Sequence, residues 1–498
     1  MKLFCLIGFF LTICLNYKVT STPIDDYVNT PDPFYSYNLI KTYSEPGYKL
    51  YVLNMTSQKW LNESFVNRPI WWHYLSITVP DKIKKQDVAL LWIGEGSNQN
   101  RLPKPSDYDV LLTSNFSLST ETITALIQQV PNQPIIFKDD PLKKERSEDA
   151  LIAWGWKKFM DDTSNPEILL RLPMAKAVSR SMDTVQDFVK KNHMIEIKKF
   201  MVTGKSKRGW SAWISAAIDS RVFTVVPIVM DLLNLNTNLH QNFKATGGWT
   251  FAFKDYYEVN ITGFMDTRAI FEMQKIIDPL YYLERYKNIN ILVISTTSDE
   301  FFYPDNTYTY WDNLVAATDG KLLHRRIPNV GHSVLTIGDA LLSSLRGFFL
   351  SSYYQAVFMP KLSWSMPNNS THGVLTATVD LGLDFLKPFS VRCWYAQTRD
   401  NVRRDFRQTY LSPNGLPTFR PLNWTSTQSG IHIYKNEDKI KYTIAFERKT
   451  NGWFGFFLEF YFPGLQGSTN IVTTETNIIP EFYPFEDCTR SSCIGRLV

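Results

Sequence analysis

At 498 residues the chain is too long for one ordinary domain, and with 44% hydrophobic against 20% charged residues it is globular rather than disordered. A formal charge of +5, scattered and not gathered into a stripe, leaves no electrostatic footprint for nucleic acid. Past the first residues no apolar run reaches the roughly 18 positions a membrane helix needs, which argues against a membrane span.

Residues 1–21 read as a secretory leader: Lys2 supplies the charge, Leu3 to Leu15 the apolar core, and Val19-Thr20-Ser21 the small residues for cleavage. Sequons at Asn54, Asn62, Asn115, Asn260, Asn368, Asn369 and Asn423 agree with an exported glycoprotein. Without the leader, Cys393, Cys488 and Cys493 remain, an odd number for an oxidising compartment. Either Cys488 pairs with Cys493 across a short loop, or Cys393 joins one of them and ties the tail to its domain.

Leu50 to Asn54 and Ile70 to Pro80 read as strands, the second carrying His73, which is read as a structural histidine. Asp87 to Ile93 is a near-continuous apolar run, the pattern of a parallel strand covered on both faces. It stops at the loop Gly94-Glu95-Gly96-Ser97-Asn98. The spacing of Ile123, Leu126, Ile127 and Val130 predicts a helix over Ser119–Val130, and Pro134–Phe137 a short strand. A helix is expected to end at Met160, and another spans Met174–Lys190 with Val178, Met182, Val185 and Val189 as its core stripe.

Phe200 to Thr203 is the next strand, Lys207 to Ile218 a helix, and Val222 to Met230 a further buried strand. The aromatic stretch 232–283 is longer than a plain crossover and reads as a helical cap insertion. Asn290–Ser295 and Leu322–Ile327 are the last core strands, and Val334–Tyr353 the closing helix. Strands alternating with helices predict a doubly wound, mostly parallel sheet over 22–355. From about Pro360 the texture turns to alternating strands, with a hairpin through Lys435–Lys439, so 356–498 is expected to be a β-sandwich-like accessory domain.

Chemistry gathers at Gly204-Lys205-Ser206-Lys207-Arg208-Gly209. Strand, abrupt turn, serine and helix make the nucleophile elbow of the α/β-hydrolases, although the usual second glycine comes one place late and Arg208 stands where a small residue is the norm. The Lys207 amide opens the helix and is free to face an oxyanion; Glu95 and Gly96 stand where this fold places the other amide. In the chain order Ser, acid, His, Asp299 follows one late strand and His332 the last; Glu300 and Asp305 are the second and third choices of acid. His332 would take the Ser206 proton while Asp299 orients the imidazole. No zinc spacing, P-loop or strand-linked dinucleotide glycine motif is present, so neither metal nor cofactor is expected.

The segments Asp25-Asp-Tyr-Val, Thr56–Trp60, Trp71-Trp-His73, Arg171-Leu-Pro-Met174, Ser181–Gln186, Gly204–Trp210 and Asp299–Asp305 resemble the PhoPQ-activated pathogenicity-related proteins over roughly residues 25–480. The late glycine is itself that family's form. The resemblance implies an α/β-hydrolase fold of the dipeptidyl-peptidase kind. Its secreted eukaryotic branch further implies an extracellular signal that restrains and repels the cells releasing it, through a cell-surface receptor or secreted partner. The alternative it leaves is a peptidase or esterase working on a peptide or ester through an acyl-enzyme.

Overall fold

The computed structural model describes residues 21–354, 359–382 and 386–498. The expected leader, apart from Ser21, and the expected domain boundary at 355–356 lie outside the described residues.

One sheet organises the chain: β1 (Ser36–Glu45), β2 (Tyr48–Lys59), β3 (Ile70–Pro80), β4 (Lys85–Ile93), β5 (Thr122–Ile127), β6 (Lys199–Lys205), β7 (Val222–Ile228), β8 (Asn290–Thr296) and β9 (Leu322–Ile327). The spatial order is β1-β2-β3-β5-β4-β6-β7-β8-β9. β5, β4 and β6 to β9 run parallel, while β1, β2 and β3 pair antiparallel at one edge. From β4 the chain moves first outward to β5, then back across to β6. That reversal opens a crevice beyond the carboxyl ends of β4 and β6, where ligands of open α/β sheets bind.

Helices cover both faces. They are α1 (Pro23–Asn29), α2 (Tyr108–Thr120), α3 (Glu148–Asp161), α4 (Arg171–His193), α5 (Lys207–Ile218), α6 (Leu235–Thr246), α7 (Lys254–Glu258), α8 (Arg268–Ile277), α9 (Trp311–Thr318) and α10 (Gly338–Tyr353). Strand geometry sends alternate residues to opposite faces. Accordingly Ala89, Leu91 and Ile93 of β4 join the core with α3, α4 and α5, while Val88, Leu90 and Trp92 pack with α2 and α10.

Two expectations need correction. Ser119–Val130 is not a helix: α2 ends at Thr120, Glu121 turns left-handed (φ 52°), and β5 follows. All six β5 residues are buried between two helical layers, so no polar alternation marks them as strand. Apolar spacing alone fits either element in so short a run. Pro134–Phe137 forms no ladder; it holds only isolated bridges, Ile135 with Arg146 and Phe137 with Val66.

Past α10 come β10 (Lys361–Ser365), β11 (His372–Asp380), β12 (Ser390–Gln397), β13 (Thr409–Leu411), β14 (Pro417–Phe419), β15 (Thr425–Thr427), β16 (His432–Lys435), β17 (Lys439–Glu447), β18 (Phe454–Pro463), β19 (Thr469–Thr473) and β20 (Asn477–Ile479). They make antiparallel sheets β10-β11-β17-β16 and β15-β12-β18-β19, with β20 beside β18, and the small ribbon β13-β14. Leu375, Ile440 and Ile444 of one sheet meet Phe456, Leu458 and Phe460 of the other in a core shared with α10. The last residues then return to the helical segment, where the Trp249 amide donates to the Arg496 carbonyl and the Val498 amide to the Trp249 carbonyl, both at 2.8 Å.

Candidate active site

Ser206 stands between β6 and α5 with φ 54° and ψ −125°, a conformation that costs an L-residue free energy and is held by its surroundings. Its amide donates to the Ile228 carbonyl at 2.8 Å, which fixes the turn against β7. Gly204 permits the turn: a Cβ there would sit 2.7 Å from the Arg208 carbonyl oxygen. Gly209 does the work of the displaced glycine. A Cβ on it would lie 2.9 Å from the Gly204 carbonyl, so its absence lets the first turn of α5 settle onto β6.

Arg208 finds its room by turning away from the strand into the loop before α3. Its guanidinium, in a residue only 2% exposed, grips Glu148 with both arms (Nη1–Oε2 2.7 Å, Nη2–Oε1 2.5 Å), and Nε donates to the Val130 carbonyl at 2.6 Å. Burial alone would raise the Glu148 carboxyl, but Arg208 and Lys207 together hold it well below the usual range. Lys207 Nζ lies 2.9 Å from Glu148 and 3.2 Å from Asp149. The first turn of α5 is thereby clamped to α3 by charge.

The three far-separated side chains meet. The Ser206 hydroxyl is 2.9 Å from His332 Nε2, and His332 Nδ1 is 3.0 Å from each Asp299 carboxylate oxygen. Asp299 is 2% exposed and also accepts the Phe301 amide at 2.8 Å, which anchors the carboxylate. With a carboxylate at Nδ1, that nitrogen carries the proton and Nε2 is left to accept from the serine. Burial pulls the His332 pKa down, yet the Asp299 charge outweighs it and the value ends above the usual 6.5. Phe301 and Phe302 pack on the imidazole with ring centroids 4.7 and 5.5 Å away.

The other acids are elsewhere. Glu300 does not reach the imidazole; its carboxylate accepts the His332 backbone N–H at 2.7 Å and so shapes the loop that carries the ring. Asp305 is buried against Arg404 and Tyr483. His73 is fully buried between the Ser57 hydroxyl (2.9 Å) and the Gln128 carbonyl (3.0 Å), and burial pulls it down to about 4, a structural histidine.

The Lys207 amide heads α5 immediately after Ser206, among the helix N–H groups without an intrahelical acceptor. Glu95 and Gly96 leave β4 beside it, because Ile93 pairs with Gly204 in the parallel register. Gly96 has φ 126° and a Cβ would stand 2.5 Å from the Asn100 amide, so this loop too demands glycine. Its carbonyl is held by Gln133 Nε2 at 3.0 Å.

A cavity of about 40 Å³ adjoins Ser206, walled by Trp156, Trp210, Trp249, Phe253 and Tyr256. Trp249, Phe253 and Tyr256 come from the segment between β7 and β8, and Arg171 of α4 enters from below. Along the chain Arg171 belongs only to a segment that resembles the family, with no role attached.

Of the sequons, Asn62, Asn115, Asn260, Asn369 and Asn423 are exposed; Asn54 is half-buried within β2, and the half-buried Asn368 bonds Asn477 and the Val374 amide. Cys488 and Cys493 form a disulfide with Cα atoms 4.8 Å apart, and Cys393 is a buried thiol. Among the described residues no helix is long and apolar enough to cross a membrane.

Sheet order, elbow and the hydrogen-bonded Ser–His–Asp chain define an α/β-hydrolase fold. Residues 24–407 match the PhoPQ-activated pathogenicity-related protein family, and the chain belongs to it. It is 33% identical over 498 residues to autocrine proliferation repressor protein A of Dictyostelium discoideum, spanning 97% of this chain and 96% of that relative. Solved structures with partial likeness include an acetyl xylan esterase from Paenibacillus sp. R4, at 15% identity and TM-score 0.44 over 65% of this chain and 91% of that one. A glucuronoyl esterase from Solibacter usitatus shows 13% identity and TM-score 0.38 over 62% and 87%.

Proposed function

We propose that this chain is a secreted glycoprotein that restrains the proliferation of the cells releasing it, and repels them, on a hydrolase scaffold. The observation that carries this reading is the 33% identity to an autocrine proliferation repressor across nearly the full length of both chains. The leader-like start and the exposed sequons support export. A receptor or secreted partner would receive the signal.

The hydrogen-bond geometry favours a second reading within the first, that of a serine hydrolase of peptidase or esterase type. Ser206 Oγ bonds to the acyl carbon as its proton passes to His332 Nε2; Asp299 stabilises the imidazolium. The oxyanion faces the Lys207 amide and one from Glu95 or Gly96. His332 then protonates the leaving group as its bond to the acyl carbon breaks. Water, deprotonated by the same imidazole, frees the acid and restores the serine.

Purified Ser206→Ala protein added to dividing cells tests the two together. Retained slowing of growth assigns the signal to the surface of the scaffold, and loss in a folded variant assigns it to the chemistry. Wild-type protein that leaves cell division unchanged would refute the repressor reading.

A further inference from the structure

Arg171, the first residue of α4, is 2% exposed and lines the cavity beside Ser206. Its Nη1 donates to the Lys207 carbonyl at 2.6 Å, and its plane lies over the Trp210 ring, 4.3 Å from the centroid. Nε has no hydrogen-bond partner, and among the described residues no carboxylate lies within 4.0 Å of the guanidinium. Burial pulls its pKa down to about 10, so it remains a cation at neutral pH. The cavity's own acid is already engaged: Asp149 pairs with Lys207 Nζ at 3.2 Å and accepts the Tyr256 hydroxyl at 3.1 Å. Arg208, Arg404 and Arg407 are equally buried and each has a carboxylate of its own in Glu148, Asp305 and Asp405; among the described residues Arg325 and Arg326 of β9 are buried without one as well, but neither lines the cavity beside Ser206, as Arg171 does. A guanidinium withdrawn from water is costly unless an anion meets it. Here the anchoring carbonyl belongs to Lys207, the residue directly after the nucleophile.

The cavity is also small. At about 40 Å³ it favours a short, slender acyl group over a bulky one. Aromatic walls suit the methylenes of such a group, and the planar fork of Arg171 suits a carboxylate at its end.

We propose that Ser206 acts on a short acyl group ending in a carboxylate, which Arg171 receives. This rests on the hydrolase reading above. Two sources present that group: the half-ester of a dicarboxylic acid, and an aspartyl or glutamyl residue at the scissile bond of a peptide. In both, the bond from the acyl carbon to the leaving oxygen or nitrogen breaks as the bond to Ser206 Oγ forms, and the leaving atom takes the proton held by His332.

The test uses the full secreted chain with mono-4-nitrophenyl glutarate, its uncharged methyl 4-nitrophenyl diester of equal length, and the 4-nitroanilides of aspartate and glutamate. Wild-type protein should prefer the anionic over the neutral glutarate by about tenfold or more in kcat/KM, the scale of one charge-assisted hydrogen bond. Arg171→Met should bring that ratio within about threefold of one, and Arg171→Lys should keep part of it. Turnover of the anilides in place of the esters identifies the peptide source. Equal rates on the charged and neutral esters by wild-type protein overturn the proposal even if neither variant folds.

Calorimetric titration of Ser206→Ala protein with monomethyl glutarate separates this inference from the reaction it rests on. Binding that disappears on adding Arg171→Met, with no turnover by wild type, upholds the anion site and overturns the hydrolase reading. Neither binding nor turnover overturns both.

Discussion

Replacing Glu148 by glutamine keeps the side chain's shape and removes the charge that both Arg208 and Lys207 depend on. Lys207 retains Asp149 at 3.2 Å, so the loss falls on Arg208, whose guanidinium is 2% exposed and has no second carboxylate. Breaking a buried ion pair from one side costs about 3–5 kcal/mol. Glu148 itself is 39% exposed in its side chain, and solvent screening brings the expectation down to about 2 kcal/mol. The sign with pH follows from the direction of the shift. A carboxyl held below its ordinary 4.5 contributes stability that is whole above that value and lost as pH falls. The gap between wild type and Glu148→Gln should therefore be about 2 kcal/mol at pH 7, start to narrow as the pH falls below 4.5, and go on narrowing through the strongly acidic range. Urea unfolding followed by tryptophan fluorescence measures both, with equal slopes certifying that only stability changed. Adding Arg208→Met to Glu148→Gln should restore part of the loss, because no buried charge is then stranded. A pH 7 difference below about 0.5 kcal/mol, or one independent of pH, would refute the clamp.

Asp299→Asn should cut ester turnover by about three to four orders of magnitude and move the acidic limb of the pH–rate profile downward. The limb reports His332, which must be neutral to accept a proton and is held above 6.5 by the Asp299 charge; an unmoved limb would argue that another group titrates. Gly204→Ala pushes a methyl to 2.7 Å from the Arg208 carbonyl and should cost about 1–3 kcal/mol with loss of turnover. Gly382→Ala, with nothing from the described residues within 4 Å, is the control expected to stay within about 0.5 kcal/mol.

Much of the sheet was legible because parallel strands covered on both faces leave long apolar runs, as in Asp87–Ile93 and Asn290–Ser295. The same burial hid β5. With Thr122 and Thr124 satisfied by the Val88 and Thr113 carbonyls, its only pattern was apolar spacing that a helix shares. At the site, the order Ser206, Asp299, His332 was readable along the chain from the loops that end three strands. Choosing Asp299 over the adjacent Glu300 rested on position alone; the structure separates them by aim, one carboxylate under the imidazole and the other under its backbone amide. Arg208 looked like a flaw in the elbow since its partner, Glu148, is 60 residues away. Arg171 carried no motif. Its meaning lies in what fails to surround it, and only three dimensions show that.

The proposed chemistry turns on whether Ser206 is an activated nucleophile. A fluorophosphonate probe on the purified protein, with the modified peptide mapped by mass spectrometry, asks this directly. Labelling at Ser206, abolished in Ser206→Ala and strongly reduced in His332→Gln, is the predicted result. A folded wild-type protein left unlabelled, or labelled equally after His332→Gln, would contradict it.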